Sequence, residues 1–199
     1  MAAKSKPSSK YEAFDNEELI ALARLDIERG EFEEALWKLK QVLVESTPPA
    51  EALSMAGRLY AQLGLRDRAK PLFQRYLELE PHAVNETFQL GMVHFDAGQP
   101  QEAKKIWGQL LKNHPAHPPG LFYQALVLTQ EGQAAQAKQL LDSLLKSAPA
   151  DNLYFGRAKE LLQAIEARQP LSSLSPNNGK GVTKETPRIT PKDAYKTEH

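Results

Sequence analysis

Four short stretches set the pacing of this chain: Gly30-Glu-Phe-Glu-Glu-Ala35, Gly64-Leu-Arg-Asp-Arg-Ala69, Gly98-Gln-Pro-Gln-Glu-Ala103 and Gly132-Gln-Ala-Ala-Gln-Ala137. Each is a glycine followed five residues later by an alanine, and successive glycines stand 34 residues apart. A fixed period of that length marks stacked helix–turn–helix units, none of which can bury its apolar stripe without a neighbour. The chain is therefore expected to be all-α, a repeat array rather than a single rounded core.

Composition narrows the chemistry. The 25 basic and 25 acidic residues cancel, so no general field draws the chain onto nucleic acid or an anionic membrane. The lysines at 38, 40, 104, 105 and 112 are interleaved with glutamates on second helices, and no nucleic-acid partner is expected. Cysteine is absent, which removes disulfides, thiolate metal sites and cysteine nucleophiles together. The most apolar run, Leu121 to Leu128, is interrupted by Gln124 and falls short of the roughly 18 residues a membrane span needs. No membrane insertion follows from it. The first ten residues carry lysines with no apolar stretch behind them, so they do not read as a secretory signal, and a cytoplasmic location is expected.

In chain order, residues 1–14 are rich in Lys, Ser and Ala and read as a flexible N-terminal arm. Asp15-Asn-Glu-Glu18 places an N-cap acid three residues before a glutamate and directly ahead of Leu19, which predicts the start of the first helix. Four units then fill 15–151, at 16–49, 50–83, 84–117 and 118–151. Their first helices carry aligned stripes with a small residue in the middle: Leu19, Leu22 and Ala23 match Leu53, Ala56 and Gly57 one period on. Second helices repeat their own stripe, as in Ala69, Phe73, Tyr76 and Leu77, and three units close on Pro81, Pro115 and Pro149. Small residues are expected to face each other across each hairpin, Gly57 opposite Ala69. Residues 152–169, capped by Asp151, look like one more first helix, but Lys159 stands where the small residue belongs and Pro170 ends the segment. That suits a capping helix with one solvated face. Residues 170–199 hold prolines, serines and an Asn-Asn-Gly run and are expected to be a disordered tail.

The pattern resembles the tetratricopeptide repeat family over residues 16–151. Unit 2 carries the motif most fully, in Leu53, Ala56, Gly57, Tyr60, Gly64, Ala69, Phe73 and Pro81. Unit 1 departs at Thr47, where proline is expected, and unit 4 departs at Gln124. The resemblance implies a right-handed α-solenoid of antiparallel helix pairs, no cofactor, and a concave groove lined by the first helices. It places groove-facing residues at the second, fifth, ninth and twelfth positions of each unit.

Residue chemistry offers a separate pointer to that groove. The first helix of unit 3 has its core stripe in Leu90 and Gly91, yet carries a second one in Phe88, Met92 and Phe95. Unit 4 does the same with Phe122, Tyr123 and Leu126, while unit 1 offers Ile20, Arg24 and Ile27, and unit 2 offers Arg58. A helix apolar on two faces must bury both. One reading makes these residues a seat for the apolar anchors of a partner's peptide or helix, with Arg24 and Arg58 meeting its carboxylates. The other covers them with the chain itself, including Tyr11 and Phe14, and pairs Arg24 with Glu28. The lysine and asparagine clamp of the family's heat-shock adaptors is missing: the corresponding places hold Ile20, Arg24, Met55, Asn85 and Gln89. His114 and His117 straddle a turn with no third ligand at a matching spacing, and no metal site is expected. No nucleophile elbow, phosphate loop or converging carboxylate pair occurs, so the chain is not expected to be an enzyme. The function expected is non-catalytic capture of a protein segment, as a scaffold, adaptor or chaperone-like module. A self-associating structural protein, possible as a homodimer, and an accessory chaperone of a bacterial secretion or envelope machine stand as alternatives.

Overall fold

The computed structural model describes residues 14–167, and every regular element within them is a helix. In order these are α1 (Asn16–Arg29), α2 (Phe32–Val42), α3 (Ala50–Gln62), α4 (Arg66–Leu79), α5 (Val84–Asp96), α6 (Pro100–Asn113), α7 (Pro118–Gln130), α8 (Ala134–Ser147) and α9 (Leu153–Glu166). Residues 1–13, with most of the expected arm, lie outside the described residues, as does 168–199 with the expected tail. The helices pack as hairpins, α1 on α2 through α7 on α8, and each hairpin rests on the next to make an all-α solenoid; α9 closes the row against α7 and α8.

The turns explain the 34-residue clock. Gly30, Gly64, Gly98 and Gly132 all adopt positive φ, between 73° and 78°. There a Cβ would press on the backbone, which glycine alone avoids without cost. The same backbone bond recurs behind each one. The N–H of Glu31, Leu65, Gln99 and Gln133 donates to the carbonyl of Asp26, Tyr60, His94 and Leu128 at 2.8–2.9 Å. Those bonds satisfy carbonyls that the helix end leaves open. At the chain's entry, the Asp15 carboxylate accepts from the Glu18 N–H while Glu18 accepts from the Asp15 N–H, both at 2.9 Å. This is the capping box the sequence predicts.

Inside the hairpins the small glycines of α3 and α5 each seat a large side chain from the partner helix. A Cβ built on Gly57 would lie 3.1–3.2 Å from three atoms of the Phe73 ring, and one on Gly91 would fall onto the Trp107 indole. The equivalent pairs in the outer units are Ala23 with Leu39 and Ala125 with Leu141, all fully buried. Glycine thus accompanies an aromatic ring and alanine a leucine, the larger knob requiring the deeper seat. The departure of unit 1 at Thr47 also has a structural counterpart: α2 has 11 residues where the other second helices have 14. The Arg75 guanidinium donates to the Ser46 carbonyl just beyond it.

One hairpin carries charge where its neighbours are apolar. Asp26 of α1 and Lys38 of α2 are buried and paired at 2.5 Å, with the Glu34 carboxylate 3.8 Å from the same ammonium. One period on, the same positions hold Tyr60 and Leu72. Two buried charges stand only because each answers the other.

Two stability predictions follow from these seats. In urea titrations Gly91→Ala is expected to cost about 3 kcal/mol, because the indole is held by its Nε1–H donating to the Phe88 carbonyl at 3.2 Å and cannot yield. Gly57→Ala should cost under about 1 kcal/mol, since the gain in helix propensity offsets a smaller displacement of Phe73. Equal losses would mean that seat depth does not decide the pairing. Separately, Asp26→Ala is expected to cost about 3–5 kcal/mol by removing the nearer of the two carboxylates that face the buried Lys38 ammonium, whereas Asp26→Tyr with Lys38→Leu should fall within about 1 kcal/mol of the parent or above it.

Candidate functional site

The first helices α1, α3, α5 and α7 carry the residues expected to line a groove, and the structure divides those residues into two groups. Ile20, Phe88, Met92 and Tyr123 are only 5%, 5%, 4% and 8% exposed, inside the protein's own core. They offer no free apolar seat. Phe95, Phe122, Leu126 and Ile27 are half-buried, each with one side against a core cluster and one edge on the surface. Arg24 and Arg58 keep 48% and 40% of their side chains accessible.

The physical reason for the burial is a row of rings between successive first helices. Phe88 of α5 meets Tyr123 of α7 at 5.8 Å and Trp107 of α6 at 6.0 Å between centroids. Phe95 meets Trp107 and Tyr123 at 5.8 and 5.9 Å. Phe122 and Tyr123 then both reach Tyr154 of α9, at 5.7 and 6.2 Å. Tilted and edge-on contacts at these distances are the favoured geometry for aromatic pairs. Stacking one unit on the next thus takes up Phe88, Met92 and Tyr123 of the second apolar stripe and leaves edges of Phe95, Phe122 and Leu126 at the surface. Burial raises the pKa of Tyr123 and of Tyr154, the latter well beyond the usual phenol range, so both hydroxyls stay protonated.

The arginines play the corresponding part in units 1 and 2. Arg24 pairs with Glu51 on the next first helix, a contact between units that an i, i+4 reading does not supply. Arg58 pairs with Glu86 of α5, whose carboxylate also accepts the Ser54 hydroxyl at 2.8 Å. Both arginines therefore tie one unit to the next while half of each guanidinium arm faces outward. Sequence spacing exposes neither partner, because Glu51 and Glu86 lie 27 and 28 residues away. Tyr154 was equally hidden among the residues of a capping helix.

His117 caps α7, its Nδ1 accepting from the Gly120 N–H at 3.1 Å, and its ring lies 5.5 Å from that of Phe88. Burial, and to a lesser degree the nearby His114, lowers its pKa to about 4. Among the described residues no group of three His, Asp or Glu side chains is placed to hold a metal ion. No described helix is long and apolar enough to cross a membrane.

Comparison with known proteins agrees with this architecture. Family models described as tetratricopeptide repeat match residues 19–36, 50–82 and 94–156. No curated protein matches the chain. Among solved structures, it is similar to MamA 41-end from Desulfovibrio magneticus RS-1, at a TM-score of 0.68 and 21% identity, over 78% of this chain and 86% of that one. It is also similar to YrrB, described as a TPR protein with an unusual peptide-binding site, at a TM-score of 0.65 and 19% identity, over 74% and 76% of the two chains. At these identities the likeness is one of fold.

The His117 cap makes stability depend on pH. Its pKa is lower in the folded chain than the ordinary 6.5, so the unfolded chain takes up the proton first. The imidazole's contribution is present above about pH 6.5 and is lost as pH falls toward 4. His117→Asn keeps a capping side chain without the titration. The stability difference between pH 7 and pH 4 is expected to shrink by about 1–3 kcal/mol in that variant, read from denaturant midpoints. An unchanged difference would show that the imidazole protonates freely in place.

Proposed function

The chain belongs to the tetratricopeptide repeat family, and from that premise we propose that it is a non-catalytic protein-interaction module whose first-helix face takes up a short segment of a protein partner. Repeats of this kind stack into extended surfaces whose use is binding rather than bond-making. The observation that carries the reading is the coincidence, on one set of helices, of accessible arginine arms and half-exposed apolar edges. Arg24 and Arg58 stand one period apart toward the α1 end. Ile27, Phe95, Phe122 and Leu126 supply partly open apolar surface along the same helices.

The burial of Phe88, Met92 and Tyr123 narrows what the partner brings. Deep apolar pockets are not on offer in units 3 and 4, so affinity rests on shallow edge contacts and on carboxylates meeting the arginines. An arginine already paired with one carboxylate still has donors to present, because its fork carries five N–H groups. The segment that fits is extended or helical, with one or two acidic residues placed near its apolar anchors.

Peptide display against the purified array tests this. Enriched sequences are expected to combine Asp or Glu with apolar residues and to bind more weakly as salt rises. Arg24→Gln should weaken them about three- to tenfold in fluorescence anisotropy. The melting temperature should hardly move, because the Arg24–Glu51 pair is exposed and such pairs are worth about 0–1 kcal/mol. Enriched peptides that bind Arg24→Gln as they bind the parent, or no enrichment at all, would remove the proposal.

A further inference from the structure

We infer that the cleft between α6 and α8, on the second-helix side of the array, is a separate binding site for an extended acidic peptide segment of a partner. The cleft encloses about 650 Å³. Its walls come from the first half of α6 and from α8, and its floor is Gln124 and Leu128 of α7. Five of its nine lining residues are glutamines, two are lysines and two are leucines. None is acidic.

The 34-residue period allows the same place to be read in the other hairpins. Where this cleft has Gln101 and Gln136, the preceding one has Asp67 and Glu102, and the one before that has Glu33 in the first of the two positions. Where the floor here is Gln124, the earlier floors are Leu90 and Ala56. Acids on the rim and an apolar residue on the floor have thus both given way to amides in this unit alone. Gly108 of α6 stands beside the change: a Cβ there would come within 3.4 Å of the Gln124 amide nitrogen. A glycine inside a helix costs about 1 kcal/mol relative to alanine, and here it lies in contact range of the polar side chain at the bottom of the cleft.

Charge and spacing select the occupant. The Lys104 ammonium is neutralised by Glu131 at 2.6 Å, and the same carboxylate accepts from Gln101. Lys105 is exposed and forms no ion pair among the described residues, so the cleft keeps a net positive charge. Gln133 at the N-cap of α8 and Gln136 and Gln139 within it follow one another at intervals of three. At 1.5 Å per residue they span about 9 Å, the length of roughly three extended residues. A carboxamide both donates and accepts, as a peptide group does. A row of carboxamides beside an unanswered ammonium therefore suits a peptide backbone carrying a carboxylate, and a lone small anion would leave the amide row unused.

The test is a two-dimensional NMR titration of the full-length ¹⁵N-labelled chain. The probe is a positional-scanning pool of acetylated, amidated hexapeptides with glutamate fixed at the third place; a matching pool carries glutamine there. The glutamate pool is expected to shift the side-chain amide signals of Gln124, Gln133 and Gln136. The glutamine pool, and the glutamate pool against Lys105→Glu, should bind at least about tenfold more weakly. Lys105 is exposed, so the variant should keep the parent's melting temperature, which is measured alongside. Overturning results are silent glutamine signals, equal binding of both pools, undiminished binding to Lys105→Glu, or shifts confined to the α1 and α3 face. Because Arg24 lies on that other face, failure here leaves the first-helix proposal standing, and the reverse holds too.

Discussion

The structure depends on one steric arrangement repeated down the chain, a small residue in the middle of each first helix seating a large side chain of the second. Gly57 beneath Phe73 and Gly91 beneath Trp107 show it directly, and the same positions hold Ala23 and Leu39 in the first unit and Ala125 and Leu141 in the fourth, all fully buried. Close-packed interiors leave no slack for a mismatch, so the pair of residues sets how near the two helices lie. The glycine turns at 30, 64, 98 and 132 bring the helices back antiparallel, but the seat decides their final distance. In α9 the same position holds Lys159, whose ammonium rests over its own helix's Phe155 ring at 4.8 Å, and the array ends there.

Hairpins built this way still have to hold on to one another, and the chain uses two chemistries for it. Toward the α1 end the links between first helices are ionic, Arg24 to Glu51 and Arg58 to Glu86. Toward α9 they are aromatic, running from Phe88 through Tyr123 and Phe122 to Tyr154. The exposed Arg24–Glu51 pair contributes about 0–1 kcal/mol, whereas Glu86 is buried against Arg58 and would be costly to leave unpaired. Apolar clusters join the units in both halves, and the first half adds polar groups at its surface. Both links join the same set of first helices, which is why a surface read from sequence as one groove is chemically two.

The second-helix side follows a different logic. The ion pairs Lys104–Glu131 and Lys138–Glu166 fasten one helix pair to the next element there. Between the first of them and the α8 wall, the usual acids and apolar floor are replaced by glutamines. A repeat protein can vary such a position freely, since each unit contacts only its neighbours and a local change does not propagate. Site-bearing departures are therefore to be sought where one unit differs from its own siblings.

What the residues determined by themselves is mostly local or strictly periodic: the four turns, the Asp15–Glu18 cap, the two stripes of each hairpin, and the departures at Thr47 and Gln124, although α9 is capped by Asn152 and not by Asp151. These depend on interactions within about one turn of helix or on a spacing visible along the chain. Only the tertiary structure decided which apolar face meets solvent. Phe88, Met92 and Tyr123 form a stripe as regular as any groove lining, yet they are buried because neighbouring first helices close over them. Arg24 likewise reaches Glu51 on the next first helix. Burial and ion pairing across units depend on the distance between helices some 30 residues apart, and that distance is set by packing, which no single stretch of sequence encodes.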